Sequence, residues 1–259
     1  NTTKLSICDS CRLKPKCVDC KFSLTTRNAK ERHEEKLLSD SCSYIPEKKR
    51  WVADPPLKKQ ITELPSYKEE TLKDMRRLQN KLRKDKDGQK IAAELDKCVF
   101  SNIKDGKYIL EEDLIKSNPE FSSLQESFST YNFVYKDSES TAVRMTHNFS
   151  FSRGGNISYN SLQFTGSSLN NKLYYLVLKN SGFRYSLNLD IRKYYNQISV
   201  SQRIAALQKF HYPRDGILTD SEVVTVVALC LVFGSVFAQC VAQICKNRTS
   251  EMFIKDKDK

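Results

Sequence analysis

The first half of the chain carries apolar residues at helical spacing. Ser66-Tyr67-Lys68-Glu69 has the form of a capping box, in which the serine oxygen and the glutamate satisfy the first free amides of a helix. Apolar residues then recur every three or four positions, at Leu72, Met75, Leu78 and Leu82. The pattern predicts a helix over Ser66–Lys84 and a shorter helix over Ile91–Cys98.

The middle of the chain alternates between apolar and polar residues. Aromatic rings fall on one face of Ser129–Tyr135, and Thr141–Phe151 alternates in the same way. The polar residues 136–140 between them are typical of a turn, so the two segments predict a β-hairpin. Arg144 then lies on the face opposite Val143 and Met145.

The last third of the chain mixes strand and helix patterns. Tyr185–Ile191 alternates as a strand, and Glu222–Phe233 is rich in valine, as buried strands are. Helices are predicted over Leu169–Asn180 and, after a break at Gly234-Ser235, over Val236–Lys246. The whole pattern predicts an α+β fold.

Three regions differ in composition. Residues 1–65 form an irregular, cysteine-rich module with a predicted loop at Trp51–Pro56. Residues 66–125 form a helical connector, and residues 126–259 carry the hairpin and the later strands.

The charge balance points to an acidic partner. The 259 residues contain 43 Lys and Arg against 31 Asp and Glu, a net charge of +12. Nucleic acid is the commonest such partner, because neutralised phosphates release counterions. A basic protein without a polyanionic partner remains the alternative. The N-terminal residues contain no apolar leader, so we expect the chain inside a cell or a virus-like particle.

One uncharged segment, Val223–Cys245, is long enough to cross a bilayer. Gly234 and Ser235 divide it into an apolar part and an amphipathic part. We therefore expect a strand and a helix, and a membrane-associated protein is kept as an alternative.

Four of the nine cysteines crowd into thirteen residues, in the spacing C-x2-C-x5-C-x2-C: Cys8, Cys11, Cys17 and Cys20. Two such pairs can each hold one edge of a tetrahedral zinc ion. The sequence therefore predicts a zinc site, with Cys42 or His33 as substitute ligands. Reduced thiols, disulfides or an iron–sulfur cluster are the alternatives. The other cysteines lie on apolar faces and are expected in the core: Cys98, Cys230, Cys240 and Cys245.

The segment YSLNLDIRKYYNQISV, from Tyr185 to Val200, presents one carboxylate at the end of a predicted strand. Nucleotidyl transfer needs carboxylates in such a place to hold two divalent metals. An aspartate at a strand end also serves as a simple turn former, so the pattern alone leaves both readings open.

Several motifs together resemble the pol region of BEL/Pao-type LTR retrotransposons, in order and over nearly the whole chain. The cysteine cluster, YIPEKKRWVADPPL (Tyr44–Leu57) and the helix from Ser66 resemble the family's segment between protease and reverse transcriptase. STAVRMTHNFSF resembles its fingers motif, and Ser168–Asn171 a short SLND-like stretch. GFRYSLNLDIRKYYNQI resembles its first palm motif and LVFGSVFAQCVA its FG-containing motif.

The resemblance implies roles for four residues. Asp190 matches a catalytic metal ligand, and Ile191 matches the residue whose carbonyl assists it. Tyr195 matches the side chain that tests the sugar 2′ position, and Arg144 matches the fingers arginine that clamps the incoming triphosphate. A surface arginine on a solvated strand face is the alternative for Arg144.

Two departures from the family pattern weaken the catalytic expectation. The FG motif continues as Phe237-Ala238-Gln239, where the family has a small residue and proline. The paired aspartates of the family are missing from the 259 residues, and one carboxylate cannot hold two Mg²⁺ ions against their hydration. Magnesium is therefore expected only if a partner completes the site.

These observations predict reverse-transcriptase-like fingers and an incomplete palm. The expected function is a truncated or repurposed retroelement protein, inactive by itself, that acts as a structural or nucleic-acid-binding component. The alternative is part of an active RNA-directed DNA polymerase completed by another chain or a downstream segment. Because an incomplete palm leaves a sheet edge open, another chain or self-association is expected to cover the region after Phe233.

Overall fold

A computed structural model describes residues 29–59, 64–135, 143–154, 156–167, 191 and 193–257. These residues form a mixed α and β protein with small sheets. The helices are α1 (Ala29–Asp40), α2 (Lys68–Lys84), α3 (Gly88–Lys104), α4 (Glu111–Ser117), α5 (Tyr159–Leu162), α6 (Gln202–Ala206) and α7 (Ala238–Lys257). The strands are β1 (Cys42–Ile45), β2 (Arg50–Ala53), β3 (Tyr108–Leu110), β4 (Thr130–Tyr135), β5 (Val143–Asn148), β6 (Ser199–Val200), β7 (Lys209–Pro213) and β8 (Val223–Ala228).

The strands form two three-stranded sheets and a hairpin. In the first sheet β2 lies between β1, which is antiparallel to it, and β6, which is parallel. In the second sheet β8 lies between β3 and β7, both antiparallel to it. β4 and β5 form the antiparallel hairpin that the alternation predicted.

Backbone hydrogen bonds join these sheets beyond their named strands. Val200 donates to the carbonyl of Leu229 over 3.0 Å, so the chain that leaves β8 continues along β6. Four residues after Leu229, the carbonyl of Phe233 accepts a hydrogen bond from the amide of His147 on β5 over 2.8 Å. The segment after β8 therefore links both sheets to the hairpin.

Helices α2 and α3 pack through the faces that the apolar spacing indicated. Met75 and Leu82 of α2 are buried, as are Leu95 and Val99 of α3. α2 ends at Lys84 as predicted, whereas α3 is longer than the predicted Ile91–Cys98 because its buried face continues to Asn102.

The predicted capping box does not form. Tyr67 precedes α2 in the left-handed region, with φ of 59°, and no side chain caps the helix. The hydroxyl of Ser66 instead accepts from the amide of Lys68 over 3.3 Å.

Three further sequence predictions are corrected. The predicted loop Trp51–Pro56 contains most of β2, which pairs with the preceding strand β1 and with the distant strand β6. The predicted strand Glu222–Phe233 ends at Ala228, and the predicted helix from Val236 begins at Ala238 and runs on to Lys257.

Residues 223–245 are thus divided between a strand, a loop and the start of α7. None of the helices in the described ranges is long and apolar enough to cross a membrane.

A single buried cluster connects the three regions of the sequence. Ala53 from the first region, Leu95 from the second and Phe237 from the third belong to the same apolar core. The core also accepts Cys230, Cys240 and Cys245, which are buried as predicted, and Cys98 is half-buried against it.

Candidate functional site

The β4–β5 hairpin sets the orientation of Arg144. Met145 and His147 point into the core, 5% and 4% exposed, so the intervening residues of β5 face outward. Arg144 lies on this outer face, opposite Val134 of β4. The sequence pattern therefore gave the correct face for this arginine relative to Met145.

The loop after β8 docks against the same hairpin through Gly234. This residue has a φ of +110°, and a Cβ atom there would lie 1.8 Å from the carbonyl oxygen of His147. Only glycine permits that approach. The hydrogen bond from the amide of His147 to the carbonyl of Phe233 fixes the loop on β5. The side-chain amide of Asn160, on α5, donates to the carbonyl of Gly234 over 2.9 Å and holds the loop from the other side.

The docked loop brings Phe233 between two of the residues singled out by sequence. The guanidinium carbon of Arg144 lies 4.7 Å from the centre of the Phe233 ring, in cation–π geometry. The ring of Tyr195 meets the same ring at 4.7 Å and 64°. Arg144, Phe233 and Tyr195 form a cluster, which we call the arginine–aromatic cluster.

Tyr195 is held in place by its own neighbours. It begins a short 3-10 helix, Tyr195–Gln197, and its ring stacks on Tyr194 at 5.7 Å. Burial raises the pKa of Tyr195, and the positive charge of Arg144 opposes that shift. Burial also raises the pKa of Tyr194 to about 12. Both phenols therefore remain neutral near neutral pH and can donate hydrogen bonds.

Gln163, which no sequence pattern indicated, supports the loop that carries Phe233. The side-chain oxygen of Gln163, fully buried, accepts from the amide of Val236 and the hydroxyl of Ser235, both at 2.8 Å. A third bond comes from the amide of Phe237 at 3.3 Å. Gln163 thus holds the turn before α7, a tertiary role that no local pattern signals.

The predicted metal residues fall largely outside the described ranges. This applies to Asp190 and to Cys8, Cys11, Cys17 and Cys20. Ile191 is described and is 44% exposed. In the part of the chain that the structure describes, no three His, Cys, Asp or Glu side chains form a group that could hold a metal ion.

A groove of about 370 Å³ runs between α2 and the hairpin. Its lining combines Lys81 and the ion pair of Arg77 with Asp74, at 2.7 Å, with the amide side chains of Asn132 and Asn148. The ring of Phe151 also lines it. The exposed face of α2 adds further positive charge, from Lys73, Arg76 and Lys84.

The groove and the arginine–aromatic cluster share one face of the hairpin. Asn148 and Arg144 are four residues apart on β5 and so point to the same side, about 13 Å apart at the usual strand rise. Asn132 and Val134 continue that face on β4. The outer face of the hairpin therefore presents cations at both ends and rings that can stack.

Comparison of the sequence with protein-family models and with curated proteins finds no match.

Proposed function

We propose that the chain is a reverse-transcriptase-like protein of retroelement origin, truncated or repurposed, that binds nucleic acid within an assembly and does not polymerise by itself. The proposal places it inside a cell or a virus-like particle. One observation carries the proposal. Arg144, Tyr195 and Phe233 belong to three separate motifs of the BEL/Pao resemblance, and they meet in one cluster.

The cluster has the chemistry of a nucleotide contact. Arg144 offers a planar fork of donors that suits phosphate oxygens. The rings of Tyr195 and Phe233 offer surfaces for a sugar or a base. In this proposal Arg144 is the nucleotide-binding cation, and Tyr195 contacts the sugar.

The groove extends the contact to a single strand of nucleic acid. Bases stack on aromatic side chains, and cations track the phosphates, in most sequence-tolerant single-strand binders. Phe151 and Phe233 supply rings at the two ends of the hairpin face, while Lys81 and Arg144 supply cations. The net charge of +12 favours the same partner.

Polymerisation is not assigned to these residues alone. The 259 residues contain no adjacent pair of aspartates, and the resemblance supplies the single carboxylate Asp190. Two Mg²⁺ ions need more oxygen ligands than this, so the remaining ligands would come from a partner. The zinc site at Cys8, Cys11, Cys17 and Cys20 is likewise part of the proposal. The proposed partner is another chain or a second copy, detected by the oligomeric state in solution.

Binding of labelled single-stranded RNA and DNA, measured by fluorescence anisotropy over increasing salt, tests the binding proposal. We expect affinity to fall steeply between about 50 and 200 mM salt. Arg144→Ala and Lys81→Ala should each weaken binding and lower the salt slope by about 1. Arg214→Ala is the matched control, because Glu112 and Glu222 already neutralise that charge. Binding that ignores salt, or that is unchanged in Arg144→Ala, would refute the proposal.

Primer extension with Mg²⁺ or Mn²⁺ tests the absence of polymerase activity. We expect no incorporation by the chain alone. Incorporation that Asp190→Asn abolishes would contradict this part of the proposal. Incorporation that appears only when a second chain is added would instead support the alternative, a polymerase completed in trans.

A further inference from the structure

Cations from distant parts of the chain converge on the segment that follows β8. The amide of Leu229 donates to the carbonyl of Lys107 over 2.8 Å, so Lys107 lies beside this segment. The next residue, Cys230, forms a β-bridge with Ser199 of β6. The guanidinium of Arg50, on β2, donates to the hydroxyl of Ser199 over 3.3 Å. The same segment therefore positions both Arg50 and Lys107.

Lys193 is a third cation of this region, and the end of α3 fixes it. Its ammonium donates to the carboxylate of Asp105 over 2.9 Å and to the side-chain oxygen of Asn102 over 3.3 Å. The backbone carbonyl of Asn102 accepts from the amide of Lys107 over 2.8 Å. Asn102 thus holds the backbone of Lys107 close to the side chain of Lys193. We call Arg50, Lys107 and Lys193 the cationic cluster.

Lys107 is the member of the cationic cluster whose charge has no partner. The residue is 6% exposed, yet its ammonium forms no ion pair and no hydrogen bond with any residue in the ranges that the structure describes. Burial lowers the pKa of Lys107, and the positive charges of Arg50 and Lys193 lower it further. A buried charge is costly unless an opposite charge or a hydrogen bond compensates it, so the cluster favours a bound anion.

The charge and the exposure of the cluster define the anion. Its three positive charges face one negative charge, that of Asp105, so a surplus of two positive charges remains among the described residues. A phosphate monoester carries about two negative charges near neutral pH, and guanidinium and ammonium groups are common donors to phosphate oxygens. The side chains of Lys193 and Asp105 are 29% and 48% exposed, so the cluster meets solvent on this side.

We infer that Arg50, Lys107 and Lys193 form a binding site for a phosphate dianion, either inorganic phosphate or the terminal phosphate of a nucleotide. Arg50 and Lys107 donate to its oxygens, and Lys193 donates from the solvent side while it keeps its ion pair with Asp105. The inference does not rest on nucleic-acid binding by the β4–β5 hairpin, because none of the three cations lies on that hairpin.

Titration of the full chain with inorganic phosphate at constant ionic strength, measured by calorimetry, tests the inference. We expect saturable binding of one phosphate per chain. Lys107→Met keeps most of the apolar stem but removes the charge, so it should weaken binding by about tenfold or more. Lys116→Gln is the matched control, because that exposed cation is already paired with Asp113 at 3.0 Å, and it should bind as the wild-type chain does. Lack of saturable binding, or equal affinity in Lys107→Met, would overturn the inference.

Thermal unfolding gives a second measurement. Without phosphate, the Tm of Lys107→Met should equal or exceed that of the wild-type chain, because the substitution removes a charge that two neighbours repel. Phosphate at about 100 times Kd should raise the wild-type Tm by about 5 °C or more, whereas the variant should show only the smaller general effect of the salt. An equal rise in both proteins contradicts a specific site. If Lys107→Met does not fold, Arg50→Gln replaces it in both measurements with the same expected loss of binding.

Adenosine 5′-monophosphate, titrated in the same way, distinguishes the two sources of the phosphate. Tighter binding of the nucleotide than of inorganic phosphate supports a nucleotide as the ligand, and the reverse order supports the free ion. Nucleotide binding that Lys107→Met leaves unchanged would place the phosphate elsewhere and would count against the site.

Discussion

Gly234→Ala tests whether the loop that carries Phe233 is fixed by close backbone contact. Gly234 has a φ of +110°, and an added Cβ would lie 1.8 Å from the carbonyl oxygen of His147. The loop must then withdraw from β5 and break the 2.8 Å hydrogen bond between His147 and Phe233.

The cost has two parts. Holding alanine in this backbone region costs about 1–3 kcal/mol. Loss of the hydrogen bond leaves backbone groups without partners and costs about 1–3 kcal/mol more. We expect a total loss of about 2–6 kcal/mol in the free energy of unfolding.

Gly154→Ala is the matched control. Gly154 is also exposed and has a φ of +63°, but nothing lies within 4 Å of its added Cβ. Its cost should be the left-handed strain alone, about 1–2 kcal/mol. Urea unfolding followed by circular dichroism measures both variants. If Gly234→Ala loses no more stability than Gly154→Ala, the close docking of the loop is refuted.

Three further predictions concern the core and the cluster. Burial lowers the pKa of His147 to about 3 in the folded chain. The unfolded chain takes up a proton at this histidine near the ordinary pKa of about 6.5, whereas the folded chain does not. The free energy of unfolding should therefore fall by about 2 kcal/mol from about pH 7 to about pH 5. Lys209→Met should lower the free energy of unfolding by about 3 kcal/mol in urea unfolding, because Glu111 and Glu126 both lose the buried ammonium with which they form ion pairs. Phe233→Leu should cost about 1–2 kcal/mol and weaken nucleic-acid binding, because it removes the ring that Arg144 covers.

Each of these has a discriminating control. His147→Phe removes the titrating group, so the same pH dependence in that variant would refute the assignment. Adding Glu111→Gln and Glu126→Gln to Lys209→Met should recover stability, and further loss would show that the carboxylates are not the cause. Phe233→Tyr keeps a ring, so it should bind as well as the wild-type chain.

Local sequence patterns predicted the elements in which buried residues recur at regular spacing. The β4–β5 hairpin followed from strict alternation, which also put Arg144 and Met145 on opposite faces. The end of α2 at Lys84 followed from its apolar spacing. These elements bury one face each, and that face is visible in sequence.

Long-range pairing was not visible in the same way. β2 pairs with the preceding strand β1 and in parallel with β6, far along the chain, and a four-residue segment shows no sign of the second pairing. The valine-rich segment after Glu222 leaves its sheet at Ala228, because the following residues pair with β6 and β5 instead. The capping box failed because Tyr67 takes a left-handed conformation that turns the chain before α2.

The candidate site likewise combines residues that local motifs indicated with contacts that depend on tertiary folding. Sequence motifs indicated Arg144 and Tyr195, but these residues meet only through Phe233, which was indicated only as part of an FG motif. The support from Gln163 depends on tertiary folding alone. Asp190 and the four clustered cysteines stay predictions, because they lie outside the described residues.

Photo-crosslinking tests the central claim, that single-stranded nucleic acid lies across the outer face of the hairpin. A strand carrying photoreactive thio-substituted uracils is bound at low salt, irradiated and mapped by mass spectrometry. Crosslinks at Phe233 or Tyr195 at one end and at Phe151 at the other are the predicted result. Crosslinks confined to surfaces away from the hairpin, such as α4 or the β1–β2 hairpin, would contradict it.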